Sequence, residues 1–204
     1  MRGLYAITPD LLSTEALERL VRQALDGGIA LLQYRNKIAD AVLRKEQAVA
    51  LLHLTRARRV PLIVNDDVAL AATIDADGVH VGRDDGDIAE ARRTLPGKLL
   101  GASCYASIEA AEAAVREGAD HVAFGSVFAS PTKPGAGRAP FDLFSRARSL
   151  GVPLVAIGGI TVDNAPRLIS AGADCVAVLS DLFGAPDISG RAAAYRRLFE
   201  KGPA

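Results

Sequence analysis

Gly172-Ala173-Asp174-Cys175-Val176 joins an amphipathic stretch to a short apolar run, and the same junction recurs as Gly118-Ala119-Asp120-His121-Val122 and Asp75-Ala76-Asp77-Gly78-Val79. The pattern reads as a helix closed by Gly and a strand led in by Asp, repeated along the chain. Working outward from these joints, apolar runs bounded by Gly, Pro or Asp predict eight strands. They lie at Leu4 to Thr8, Ala30 to Arg35, Pro61 to Asn65, Gly78 to Gly82, Leu99 to Cys104, His121 to Phe128, Pro153 to Gly158 and Cys175 to Ser180. Between them Leu17, Leu20, Val21, Ala24 and Leu25 recur at helical spacing, as do Leu43, Ala50, Leu51 and Leu54, and eight helices are expected. Mostly apolar strands alternating with helices mean a parallel sheet covered by helices, and eight such units favour an α/β fold of the closed (β/α)8 TIM-barrel type, a single domain over residues 1–204. An open dinucleotide-binding sheet would need a Gly-rich turn after its first strand, where this chain has Thr8-Pro9-Asp10.

The composition agrees with a self-sufficient core. Half of the 204 residues are hydrophobic, and 24 Lys+Arg balance 24 Asp+Glu for a formal net charge of +0. That balance argues against disorder and against a nucleic-acid partner, so any anion site must be local. Cys104 and Cys175 belong to no metal-ligand or disulfide pattern. Met1 to Asp10 lacks a signal-peptide pattern and no apolar run could span a bilayer, so a cytoplasmic location without membrane partners is expected. A homo-oligomer stays open, because helix faces that pack on a barrel and faces that pack on a neighbour look alike in sequence.

In a barrel of this kind chemistry belongs at the C-terminal strand ends. Strand two ends in Gln33-Tyr34-Arg35-Asn36-Lys37, where alternation puts Gln33, Arg35 and Lys37 on one side; strand three ends in Asn65-Asp66-Asp67 and strand four in Gly82-Arg83-Asp84-Asp85. Strand five ends at Ser103, strand six runs into Ser130-Pro131-Thr132-Lys133-Pro134-Gly135-Ala136-Gly137, and strands seven and eight end in Gly158-Gly159 and Leu179-Ser180. Each has a plain structural reading: Arg35 and Lys37 as solvated charges, Asp66 and Asp85 as helix caps, Gly158-Gly159 as a turn. His80, between Val79 and Val81, reads as a satisfied core histidine, and His53 and His121 carry no assignment.

Together the residues say more. Carboxylates at two neighbouring strand ends suit Mg²⁺, which completes its octahedron with phosphate and water, so Asp66 and Asp85 are its candidate ligands. Arg35, Lys37 and Lys133 would converge on the same mouth, a site for a pyrophosphate. Gly159 and Leu179-Ser180 stand where such barrels hold a monophosphate on backbone N–H groups. Two anion sites imply two phosphorylated small-molecule substrates.

From Tyr5-Ala6-Ile7-Thr8 through Gln33-x-Arg35-x-Lys37, Asn65-Asp66-Asp67-Val68-Ala69-Leu70-Ala71, Asp77-Gly78-Val79-His80-Val81-Gly82 and Gly101-Ala102-Ser103, the chain resembles the thiamine phosphate synthase family. Phe124-Gly125-Ser126-Val127-Phe128, Ser130-Pro131-Thr132-Lys133, Ala156-Ile157-Gly158-Gly159-Ile160 and Val178-Leu179-Ser180 extend the resemblance over nearly the whole length. The resemblance implies a transferase that condenses a pyrimidine diphosphate with a thiazole phosphate and releases pyrophosphate. It implies that Gln33, Arg35, Lys37, Asn65, Ser103 and Lys133 bind the pyrimidine diphosphate, with Arg35, Lys37, Ser103 and Lys133 serving catalysis. It further implies that Asp66 and Asp85 hold Mg²⁺, and that Ser130, Thr132, Gly159, Leu179 and Ser180 bind the thiazole phosphate. Arg83, Ser126 and Asp181 depart from the commonest family pattern, which has Gln, Pro and a small residue there. The loop Ala129 to Ala139 is expected to close over the pyrophosphate. Two other readings are a thiazole tautomerase of the same superfamily, whose members known to us carry a His where Ser126 stands, and a non-catalytic sensor of thiamine phosphates.

Overall fold

The alternation of apolar and amphipathic stretches becomes eight parallel strands: β1 (Gly3–Ile7), β2 (Leu31–Tyr34), β3 (Leu62–Asn65), β4 (Gly78–Val81), β5 (Leu99–Tyr105), β6 (His121–Gly125), β7 (Leu154–Ile157) and β8 (Cys175–Val178). Each pairs with its neighbours in sequence order, and β8 pairs with β1 to close the barrel. The structure, a computed structural model, describes residues 1–82, 86–129 and 138–200. Its helices are α1 (Thr14–Gly27), α2 (Ala41–Ala57), α3 (Val68–Thr73), α4 (Ile88–Thr94), α5 (Ile108–Arg116), α6 (Asp142–Arg146), α7 (Ala165–Ala171), α8 (Ser180–Phe183) and α9 (Ile188–Glu200).

Among the described residues this is one α-helix more than the eight helices expected, because the short α8 begins where β8 was expected to end. β6 also stops earlier than the apolar run suggests. Val127 and Phe128 leave the ladder but still donate backbone N–H groups to Ile157 and Gly158 at 3.0 and 3.1 Å. Helix starts follow their caps: Ser13, Asp40, Asp67, Asp87 and Ser107 each accept a backbone N–H from the first turn. The caps of α3 and α4 are therefore Asp67 and Asp87, which frees Asp66 from that role.

Two apolar compartments result. One lies between sheet and helices; the other fills the barrel with Tyr5, Ile7, Leu31, Ile63, Val155 and Cys175, among others. Fully burying one such aliphatic side chain contributes roughly 1.5–3 kcal/mol. The register fixes which residues share the inner face, pairing Ile7 with Gln33, Gln33 with Ile63, Asn65 with His80, His80 with Gly101, Gly101 with His121 and Ser103 with Ala123.

At the opposite end of the barrel the three repeated joints do one job. The Asp77 carboxylate accepts the N–H of Leu62 at 2.8 Å, Asp120 that of Leu100 at 2.8 Å, and Asp174 that of Leu154 at 2.9 Å. In each case the Asp before one strand pairs the first free donor near the start of the preceding strand.

Candidate active site

The cations at the end of β2 are held in place from β1. Thr8 donates its hydroxyl to the Arg35 carbonyl at 2.8 Å and accepts the Arg35 N–H at 2.9 Å, which welds the two strand ends. Asp10 then takes the Arg35 guanidinium at 3.1 Å and the Lys37 backbone N–H at 2.8 Å. Arg35 is thereby oriented rather than free in solvent. Lys37 remains more than half exposed, with its Nζ 3.7 Å from an Asp66 carboxylate oxygen. Asp10 was missed in the sequence, although its position just past a strand end is the same signal that singled out the others.

Asp66 occupies the left-handed region, with φ of 62°, while its N–H donates to the His80 carbonyl at 2.8 Å. Asp tolerates that conformation better than most residues, and the capping of α3 falls to Asp67. Asn65 donates its side-chain amide to Asp66 at 2.5 Å. Arg35, Lys37, Asn65, Asp66 and Asp87 border a cleft of about 740 Å³. Hard carboxylate oxygen beside cations is a donor set that would suit Mg²⁺, and Asp66 is the one of the two expected ligands that lies among the described residues. Asp85, the other expected ligand, and Arg83 lie outside the described residues.

Further into the barrel the polar residues form a chain. Gln33, buried, donates its amide to the Tyr5 hydroxyl at 3.0 Å, and burial raises the Tyr5 phenol far above its ordinary pKa. His80 Nε2 lies 2.9 Å from the Ser103 hydroxyl. The expectation of a satisfied core histidine holds for that nitrogen alone, since Nδ1 is buried without a partner. His121, which the sequence left unassigned, packs beside it with ring centroids 5.7 Å apart. Burial pushes His80 down to about 4 and His121 to about 3, so both are neutral near pH 7.

Across the mouth, Gly159 follows β7 with φ of 63°, and a Cβ there would meet the Ala129 carbonyl oxygen at 2.4 Å. Only glycine fits. Asn164 locks the turn, donating to the Gly159 carbonyl at 3.0 Å and accepting from Thr161 N–H at 2.9 Å. Leu179 and Ser180 lead into α8. Asp181, whose purpose was not legible, accepts from the Tyr195 hydroxyl at 2.8 Å, from Arg191 at 2.6 Å and from Val162 N–H at 3.3 Å. It ties α8, α9 and the turn after β7 together, and its charge is directed at Arg191. Ser126 closes on itself locally, donating to the Phe128 carbonyl at 2.7 Å. Ser130, Thr132 and Lys133, with the rest of residues 130–137 of the expected closing loop, lie outside the described residues.

Gln33, Arg35, Lys37, Asn65, Asp66 and Ser103 thus stand at one end of the barrel, with Gly159, Leu179 and Ser180 at the strand ends across it. Among the described residues no helix is long and apolar enough to cross a membrane. A relative from Aromatoleum aromaticum, named thiamine-phosphate synthase, is 56% identical over 202 residues, covering 98% of this chain and 97% of that one. Another of that name, from Methylobacillus flagellatus, is 55% identical over 200 residues, with 98% and 96% covered. Among solved structures, a thiamine phosphate pyrophosphorylase from Pyrococcus furiosus superposes with a TM-score of 0.88 at 36% identity, over 98% of this chain and 96% of that one. A 3-hexulose-6-phosphate synthase matches at a TM-score of 0.71 and 21% identity, with 98% and 100% covered, which is likeness of fold alone. The sequence profile described as thiamine monophosphate synthase matches residues 4–182, which takes in every strand end described above, and the chain belongs to that family of transferases.

Proposed function

We propose that this mouth condenses 4-amino-2-methyl-5-(diphosphooxymethyl)pyrimidine with 4-methyl-5-(2-phosphooxyethyl)thiazole, or its carboxylated form, to give thiamine phosphate and pyrophosphate. The observation that carries the reading is the clustering of Arg35, Lys37 and Asp66 around one cleft at the strand ends, with the polar side chains of Gln33 and Ser103 on the inner face of the same barrel. A diphosphate at the rim and a heterocycle below it match that order of charge and depth. Gln33, Asn65 and Ser103 bind the pyrimidine end, while Arg35, Lys37 and Lys133 bind the diphosphate. Ser130, Thr132, Gly159, Leu179 and Ser180 take the thiazole phosphate.

The bond to break is the pyrimidine CH2–O bond. Arg35 and Lys37, preorganised by Asp10 and Asp66, neutralise the charge that grows on the departing oxygens. Mg²⁺, held by Asp66 and Asp85, would supply further charge neutralisation on the same diphosphate when bound. The aminopyrimidine delocalises the positive charge left on its CH2, so the step is dissociative, and the thiazole nitrogen, held close by its own phosphate, then attacks. That nitrogen has no proton to lose, which agrees with a mouth whose nearest imidazole, His80, is neutral and turned to Ser103.

The test is turnover against Mg²⁺ concentration for Asp66→Asn, Asp85→Asn and the double variant. Asn keeps the shape at each position and accepts the left-handed backbone at residue 66. Turnover is expected to fall about 100-fold or more at ordinary Mg²⁺, in part recovered at high Mg²⁺, with unchanged thermal midpoints. Wild-type rates and an unchanged metal requirement in all three would refute the assignment.

A further inference from the structure

Three buried imidazole nitrogens have no hydrogen-bond partner: Nδ1 of His80 and both ring nitrogens of His121. The residues are 6% and 1% exposed, so bulk water does not satisfy them. An unpaired buried polar atom is costly, and native interiors seldom leave one so. What brings two of these nitrogens together is Gly101, which the register sets between His80 and His121 on the inner face. A Cβ on Gly101 would lie 2.2 Å from His121 Nε2 and 2.4 Å from His80 Nδ1. The two nitrogens therefore flank one point, less than about 5 Å apart, a span closed by a direct hydrogen bond after a small shift or by one bridging water at ~2.8 Å from each. Tyr5 meets His121 edge-on, with ring centroids 6.0 Å apart, and fixes its ring.

The geometry points to His121 as a positioning residue: a hydrogen-bonded link from His121 Nε2–H to His80 Nδ1, beside Gly101, holds the proton of His80 on Nε2, so that His80 donates to Ser103 and the Ser103 hydroxyl is left to donate into the mouth. The direction follows from the inner polar set. A neutral imidazole has one donor and one acceptor nitrogen, so whichever role Nδ1 takes fixes the opposite role at Nε2. Gln33 commits one of its two amide N–H groups to Tyr5 and offers its carbonyl oxygen as an acceptor. An aminopyrimidine edge presents an exocyclic N–H2 donor beside a ring-nitrogen acceptor, so a complementary wall needs one acceptor and one donor. Gln33 supplies the first, and Ser103 can supply the second only if His80 does not take its proton. Both imidazoles stay neutral near pH 7, which keeps a single donor on each. The inference rests on the assignment of Ser103 to the pyrimidine for its effect on turnover, and on geometry alone for the link.

The chain has 3 histidines, so imidazole-labelled enzyme gives three rings to assign by ¹⁵N NMR, His53 being exposed on α2. In ligand-free wild type His80 is expected to carry its proton on Nε2, with Nδ1 accepting. His121→Phe removes the donor while keeping a ring in the core, and His80 should then populate both tautomers. KM for the pyrimidine diphosphate should rise roughly three- to tenfold, the usual worth of one neutral hydrogen bond, with KM for the thiazole phosphate unchanged. His121→Gln, which can still donate, should restore both the tautomer and the KM and guards against a general packing effect. A His80 proton on Nδ1 in wild type, or a His80 tautomer that ignores His121→Phe, overturns the proposal. A tautomer that shifts with no change in KM confirms the link and overturns instead the assignment of Ser103 to the pyrimidine.

Discussion

His80 and His121 also make the protein sensitive to acid, and the sign is fixed by their burial. In the unfolded chain each titrates near ~6.5. In the folded chain they titrate at about 4 and about 3. Above ~6.5 neither state binds the proton and stability is fully present. Below it the unfolded chain takes up protons that the folded chain refuses, so stability falls as pH drops toward the folded values, by about 1.4 kcal/mol per pH unit for each residue. Denaturant unfolding at pH 7, 6 and 5 is expected to show that slope, and His121→Phe should flatten it by about half relative to wild type. An equal slope in both would mean that His121 is hydrated in the folded chain. At this scale the sequence was partly legible. Alternation put Gln33 on one side of its strand, and Gln33 is buried on the inner face, because parity is a property of one strand. The contacts Asp10 to Arg35, His80 to Ser103 and His80 to His121 were not legible, because each depends on the register between strands.

Among the elements, the aspartates at the joints are the clearest case of sequence repeating because geometry repeats. Each carboxylate closes the exposed start of the preceding strand, and Asp120 and Asp174 also bind Arg92 at 2.5 Å and Arg148 at 3.3 Å. Asp77→Ala would leave the N–H of Leu62, a fully buried residue, without its acceptor. The expected cost is about 1–3 kcal/mol by chemical denaturation, with turnover per folded molecule unchanged because the joint is at the far end from the mouth. A loss of turnover without loss of stability would contradict that separation. The joints were readable as punctuation, whereas their role in pairing the preceding strand was not, since that partner lies 15 to 20 residues away. The ends of β6 and β8 were overrun for a different reason. Val127, beyond β6, is buried, and Leu179, beyond β8, packs against the barrel interior, so apolar character continues past the ladder and periodicity alone cannot mark where it stops.

For the molecule as a whole, eight βα units and closure followed from the alternation, and the ring is sealed where β8 meets β1. A closed ring has a direction. The joints stitch one end, the candidate site occupies the other, and between them Ile63, Val155 and Cys175, all 0% exposed, fill the axis. Burial also holds the Cys175 thiol up at about 12, an inert part of that filling. The barrel is therefore a cul-de-sac, and a cul-de-sac imposes a sequence in time. Gln33 is 4% exposed, while Ser180 stands open at the rim, so under the proposed assignment the pyrimidine is expected to be seated before the thiazole phosphate arrives and to be held while it stays. Enzyme preloaded with labelled pyrimidine diphosphate and chased with unlabelled substrate should convert nearly all of its label to product as thiazole phosphate is raised to saturation. Capture that levels off below half would mean that the deeper ligand has a second way out. Full capture would make traffic through the barrel compulsory in order: the guest admitted first is committed by the arrival of the next.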